Sequence, residues 1–185
     1  MSRKSKIIVC LLVAAVILFG TLELYAIPAY EAEKESYAKR QTDARTHDIS
    51  AIEQYKEPYM GNAGNITQLM NALPLNDISK TFEIKGDSGT LTVNYQAAAE
   101  EIGRAKVQRD MVYNTVAAMA SIDNLLEIVY QFSDGSYSFA REEVEEAWET
   151  PLPKLLEKKI WDREVRGQLN SREFVRRFSA FAEKE

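Results

Sequence analysis

The sequence predicts an α+β protein: an N-terminal transmembrane helix, then a small domain whose antiparallel sheet of two hairpins packs on helices, then C-terminal helices. Three observations carry this expectation. A basic-flanked apolar run opens the chain. Two pairs of segments with period-2 alternation each enclose a Gly-rich turn, and helical periodicity fills the stretches before, between and after them.

The apolar run extends from Ile7 to Leu22, where only Thr21 is polar. Its 16 residues fall between a signal-peptide core and a full span of about 20; extension to Ile27 gives 21 residues and takes in Glu23 near the outer end. Arg3, Lys4 and Lys6 precede it, so the positive-inside rule keeps the N-terminus cytoplasmic and sends the rest across. Signal cleavage wants small residues in an A-x-A pattern, whereas Leu24-Tyr25-Ala26 and Ile27-Pro28-Ala29 place a large residue there. Residues 1–27 therefore read as a cytoplasmic tip and a retained anchor, with secretion after cleavage as the alternative. Cys10 reads as a small apolar residue of the membrane helix.

Residues 28–47 read as a charged stalk. A Glu35/Lys39 pair at i,i+4 spacing supports a helix there, about 30 Å long if formed throughout. His47, the single histidine, falls at its end and is expected to be solvated.

Residues 48–150 carry the α+β domain. Ile66, Leu69, Met70 and Leu73 form one helical stripe, with Asn62 placed to cap it, Gly61 placed to turn at positive φ and Pro74 placed to stop it. Thr81–Lys85 and Thr90–Tyr95 alternate around Gly86-Asp87-Ser88-Gly89, a hairpin with one wet face. A long helix is expected from about Ala97 to Ser121. Leu125–Phe132 and Tyr137–Phe139, joined through Ser133-Asp134-Gly135-Ser136, form the second hairpin, and an acidic helix runs from Arg141 to Thr150. The repeated order hints at a duplication, without residue-level similarity behind it. In residues 151–185, a C-terminal helical extension, the charge reverses: from Lys154 to Arg177 there are eight bases and four acids. Asn170 with Glu173 resembles a capping box, and Phe174, Phe178 and Phe181 then form an i, i+4, i+7 stripe. This last helix docks on its own domain or, with Arg176 and Arg177, on a partner protein or the membrane surface.

Composition limits the chemistry. One His and one Cys among 185 residues exclude a disulfide framework, a zinc ribbon and the usual transition-metal centres, so no metal and no cofactor are expected. Without residues 1–27 there are 20 bases against 27 acids, a net charge of −7, which disfavours nucleic acid and anionic lipid. No catalytic residue is assigned: Gly-x-Ser-x-Gly is absent, and abundant carboxylates on solvated helices do not make a catalytic pair. The expected role is non-catalytic binding or sensing at the cell envelope by a membrane-anchored extracytoplasmic domain. The alternatives are a structural or assembly subunit of a membrane complex, using the anchor or the Phe helix, and a carboxylate-based hydrolase. Expected partners are the membrane, through the single-pass anchor, and a membrane protein or envelope ligand. Candidate binding residues are Lys56, Tyr59, Gly61 and Asn62; candidate partner-docking residues are Phe174, Phe178 and Phe181.

Lys56-x-Pro58-Tyr59-x-Gly61-Asn62, leading into Ile66-x-x-Leu69 and Leu73-Pro74-Leu75, resembles the opening signature of the domain of unknown function 4825 family of Gram-positive bacteria. Leu91–Tyr95 is similar to its second strand, Ala117–Glu127 to the end of its long helix, and Tyr137–Glu142 to its last strand and acidic helix. The resemblance covers about residues 48–150. Two departures stand out: Asp87-Ser88-Gly89 replaces a Pro-Tyr-Gly-like turn, and Ala140 replaces a hydroxyl residue before Arg141. The resemblance implies an extracytoplasmic domain on a membrane tether and no particular substrate.

Overall fold

The computed structural model describes residues 3–180 and 183–184. The chain forms two compact units, Met1–Arg40 and Gln41–Glu185.

The first unit is a continuous helix, Arg3–Arg40, long and apolar enough to cross a membrane. It comprises α1 (Arg3–Thr21), a wider π turn over Leu22–Ala26, and α2 (Ile27–Arg40). The π turn has a local cause. Pro28 has no N–H to offer the preceding turn, and Ile27 donates back five residues to the Leu22 carbonyl. The large apolar side chains of α1 are exposed, Leu11 and Phe19 each to 65%. A helix that is apolar all round and covered by nothing of its own is suited to a hydrocarbon solvent.

The second unit begins with a 3-10 helix (Ile49–Tyr55) and α3 (Ala63–Ala72), followed by β1 (Lys80–Lys85) and β2 (Thr90–Tyr95). Next come α4 (Ala99–Ile102), α5 (Arg104–Ser121), β3 (Glu127–Phe132) and β4 (Gly135–Ala140). The chain ends in α6 (Arg141–Ala147), α7 (Leu152–Leu155), α8 (Lys158–Ile160), a π turn (Trp161–Val165), α9 (Arg166–Leu169), α10 (Arg172–Ala180) and a two-residue β5 (Glu183–Lys184).

Both expected hairpins form, and the strands lie in the order β1-β2-β3-β4-β5. The sheet, however, is mixed rather than antiparallel. β2 and β3 run parallel, with Leu91 opposite Ile128 and Val93 opposite Tyr130. The helical crossover between them returns the chain to the end from which β2 started, as parallel pairing requires. Gly89 fixes the junction: its carbonyl accepts from the Leu126 and Glu127 N–H groups at 2.8 and 3.1 Å. Its φ of +65° suits glycine, and a Cβ there would lie 2.8 Å from the Asn124 carbonyl oxygen.

The single long helix expected from Ala97 is divided at Gly103, which has φ 104°. Two side chains of the second hairpin region secure this crossover. Asp134 accepts from the Ala99 and Glu100 N–H groups at the start of α4 (2.7 and 3.1 Å). Arg141 donates to the Met119, Ile122 and Leu125 carbonyls at the end of α5 (2.7, 2.6 and 2.8 Å). Cation and carboxylate each sit where the helix dipole favours them.

From Met111 onward α5 is buried on every side, so it needs cover from the sheet and from other helices. On the sheet side Thr115 and Tyr130 share a hydroxyl hydrogen bond of 3.1 Å. On the other side Tyr113 meets Trp161 edge-to-face at 4.8 Å, and α7, α9 and α10 pack against α5. The segment expected to be an extension from residue 151 is therefore part of the compact unit, with Trp161, Val165, Leu169 and Val175 in its core.

The N-terminal boundary also moves. The helical part of the expected stalk ends at Arg40, and residues 41–47 belong to the globular unit instead of preceding it. His47 is only 1% exposed, against the expectation that it is solvated. Two smaller corrections concern helix starts. Gly61 is not among the positive-φ residues, so Asn62 caps α3 without a left-handed turn before it. Ser171, rather than Asn170, caps α10, its Oγ accepting from the Phe174 N–H at 3.2 Å.

Candidate functional site

Lys56, Tyr59, Gly61 and Asn62 lie on the segment joining the 3-10 helix to α3. The segment is tied down by backbone contacts. Glu57 N–H donates to the Ser121 carbonyl (3.0 Å), Met60 N–H to Asn124 Oδ1 (2.8 Å), and Asn124 N–H to the Pro58 carbonyl (3.3 Å). Met60 is buried and anchors the turn, which leaves Tyr59 67% exposed. Asn62 Oδ1 accepts from the Asn65 N–H at 3.1 Å, an ordinary N-cap. Lys56 lines a depression together with Pro58, Ala120 and Pro153. Tyr59, Gly61 and Asn62 are not among the residues that line this depression.

Phe174 and Phe178 pack on their own domain. Trp148 meets them edge-to-face at 5.7 and 5.6 Å, and Phe178 stacks on Phe139 at 5.7 Å. Both are half-buried beside a cleft that Glu143, Glu146 and Arg177 also line. Phe181, the third member of the expected stripe, lies outside the described residues.

Two charged constellations are less legible from the sequence. The first is buried. Asp110 Oδ2 accepts from Lys106 Nζ (2.6 Å), Asp110 Oδ1 accepts from the Ala44 N–H (3.1 Å), and Arg109 pairs with Asp43 (3.1 Å). Lys106 also donates to the Thr42 carbonyl (2.7 Å). Burial pushes the Asp110 carboxyl up to about 6, although Lys106 pulls in the opposite direction. This cluster straps residues 42–44 to α5 and so carries His47 inward. There the imidazole Nε2 lies 2.9 Å from the Ala72 carbonyl and Nδ1 lies 2.7 Å from the Tyr113 hydroxyl. A carbonyl only accepts, so Nε2 carries the proton and Nδ1 accepts from Tyr113. Burial lowers His47 to about 4, with the Ala72 carbonyl opposing, so the ring is neutral near pH 7.

The second constellation lines a cleft of about 690 Å³ between α5 and the α9–α10 segment. Ala105, Leu169 and Val175 supply apolar walls, and Arg45, Arg109, Arg172 and Arg176 supply guanidinium groups. Arg109 is buried and already paired with Asp43, whereas Arg45, Arg172 and Arg176 are exposed. Among the described residues no carboxylate lies within ion-pair distance of those three. Glu173 is the one acid lining the cleft. Arg172 and Arg176, one turn apart on α10, are visible as a pair in the sequence; Arg45 joins them only through the fold. Among the described residues no cluster of His, Cys, Asp and Glu is placed to hold a metal ion.

A small α+β domain with a mixed sheet, following an apolar helix of spanning length, defines the class of protein. Residues 52–142 match the family described as Domain of unknown function (DUF4825). No curated protein and no solved structure matches the chain. The matched segment holds Tyr59, Arg109 and strands β1 to β4, but β5, Arg45, Arg172 and Arg176 fall outside it.

Proposed function

We propose that this is a single-pass membrane protein whose C-terminal domain sits outside the cytoplasm and acts by binding rather than catalysis. The observation that carries the reading is the apolar helix Arg3–Arg40, with Arg3 and Lys4 at its start and Lys6 close behind. Basic residues before a first span hold that end in the cytoplasm. The globular unit beginning at Gln41 then lies on the far side. Support for binding comes from the only imidazole, which is engaged by Tyr113 and Ala72 inside the core and has no open face for proton transfer.

Protease treatment of intact cells, followed by mass spectrometry of the membrane fraction, tests this reading. The expected result is digestion of residues 41–185 from outside in treated cells and, in untreated cells, a full-length mass that retains the N-terminal helix. A domain protected in intact cells would overturn the orientation, and a species starting after Ala26 would overturn the anchor.

A further inference from the structure

We infer that the cleft between α5 and the α9–α10 segment is a site for a phosphomonoester group carried on a small apolar body. The inference rests on the binding reading above and names the chemistry the domain would take.

Charge is the first argument. Lys106 and Arg109 are balanced by Asp43 and Asp110, and they form one connected cluster. Arg45, Arg172 and Arg176 have no such balance, and Glu173 offsets only one of them. The cleft therefore carries a net charge of +2 within a domain whose overall charge is negative. A phosphomonoester brings about −1.5 to −2 at neutral pH and three acceptor oxygens in one group, which meets that surplus without a second anion. Guanidinium forks bind such oxygens in charge-assisted, often bidentate hydrogen bonds.

Position is the second argument. Arg172 stands at the first residue of α10, where the positive end of the helix dipole disfavours a cation. Arg172 and the helix end thus reinforce one another toward an anion while opposing one another in its absence. The third argument is shape. The volume falls within the range of small-molecule sites, and Ala105, Leu169 and Val175 give a ligand body an apolar surface to rest on.

The probe is phenyl phosphate, titrated calorimetrically into the full-length protein in nanodiscs of neutral lipid. Phenyl sulfate has the same tetrahedral head with one charge. The expected result is saturable binding of phenyl phosphate that is at least about tenfold tighter than that of phenyl sulfate, consistent with one additional charge-assisted contact. It should weaken below about pH 6 as the phosphate dianion takes up a proton and becomes a monoanion. In an Arg172→Gln/Arg176→Gln variant the affinity should drop about 10- to 100-fold with no fall in melting temperature. Nanodiscs containing phosphatidic acid separate two sources of the group. Weaker phenyl phosphate binding there assigns the cleft to a lipid headgroup, and unchanged binding assigns it to a soluble phosphomonoester. No binding, equal affinity for the sulfate, or full affinity in the double variant would overturn the inference. Topology and anchoring are read by the protease experiment and stand or fall separately.

Discussion

Two sets of charges adjoin each other along α5. In the buried set, Asp43, Lys106, Arg109 and Asp110 satisfy one another within a few ångströms; in the cleft, Arg45, Arg172 and Arg176 face solvent with a single carboxylate, Glu173, among the lining residues. Arg109 belongs to both, paired on one side and lining the cleft on the other. Internal compensation makes the first set structural, because removing a member leaves its partner's charge unbalanced in a buried or half-buried place. Lack of compensation leaves the second set available, because no ion pair among the described residues engages it.

The sharpest way to break this contrast is Asp110→Ala. It leaves Lys106 without its carboxylate and the Ala44 N–H without an acceptor, and it should cost about 3–5 kcal/mol, nearer the lower figure because Lys106 reaches solvent. Urea denaturation measures this loss; a change below about 1 kcal/mol would mean that the cluster is not structural.

The pH dependence of stability sharpens the contrast further. His47 is lowered to about 4, so an unfolded chain binds its proton more readily, and stability from this group is lost as pH falls from 6.5 toward 4. Asp110 is raised to about 6, so the folded state holds the proton more tightly, and stability from this group is lost as pH rises from 3.8 through 6. Between pH 4 and 6 the two slopes oppose. Denaturation midpoints of the unmodified protein should therefore vary little across that window. Asp110→Asn should uncover a decline toward acid of about 3 kcal/mol, and His47→Gln a decline of a similar order in the opposite direction. Parallel curves for all three proteins would show that these groups are not the ones titrating.

The smallest effects belong to the cleft. Arg176→Gln should change stability by less than about 0.5 kcal/mol. Arg172→Gln should raise stability by about 0.3–1 kcal/mol, because it removes a cation from the first turn of α10. Thermal melts of the two variants side by side check both signs. A clear loss at either position would move that arginine into the structural set.

Much of this fold is legible in the chain. Alternation about Gly86–Gly89 and Asp134–Gly135 marks both hairpins, and Asn62 with the Ile66–Leu73 stripe marks α3. The parallel pairing of β2 with β3 is not, because alternation says which face a residue takes and nothing about its neighbouring strand. His47 shows a similar limit. Its polar surroundings in sequence resemble a linker, while its burial depends on Tyr113 and Ala72, 66 and 25 residues away. Adjacent opposite charges at Arg109 and Asp110, just before a stretch without charged residues from Met111 to Ser121, are a readable sign of a buried polar cluster. The cleft is half-readable: the basic reversal after Lys154 points to its α10 side, and nothing local connects that side to Arg45.

The clamps at the two ends of the crossover have one more consequence. Asp134 fastens the start of α4 and Arg141 the end of α5, so one hairpin region holds both ends of a helical segment that spans residues 99–121. A disulfide could serve the same purpose, but residues 41–185 contain no thiol, and Cys10 lies in the apolar helix. The domain's internal fastening is therefore indifferent to redox conditions: oxidants and thiol reductants alike leave these links intact.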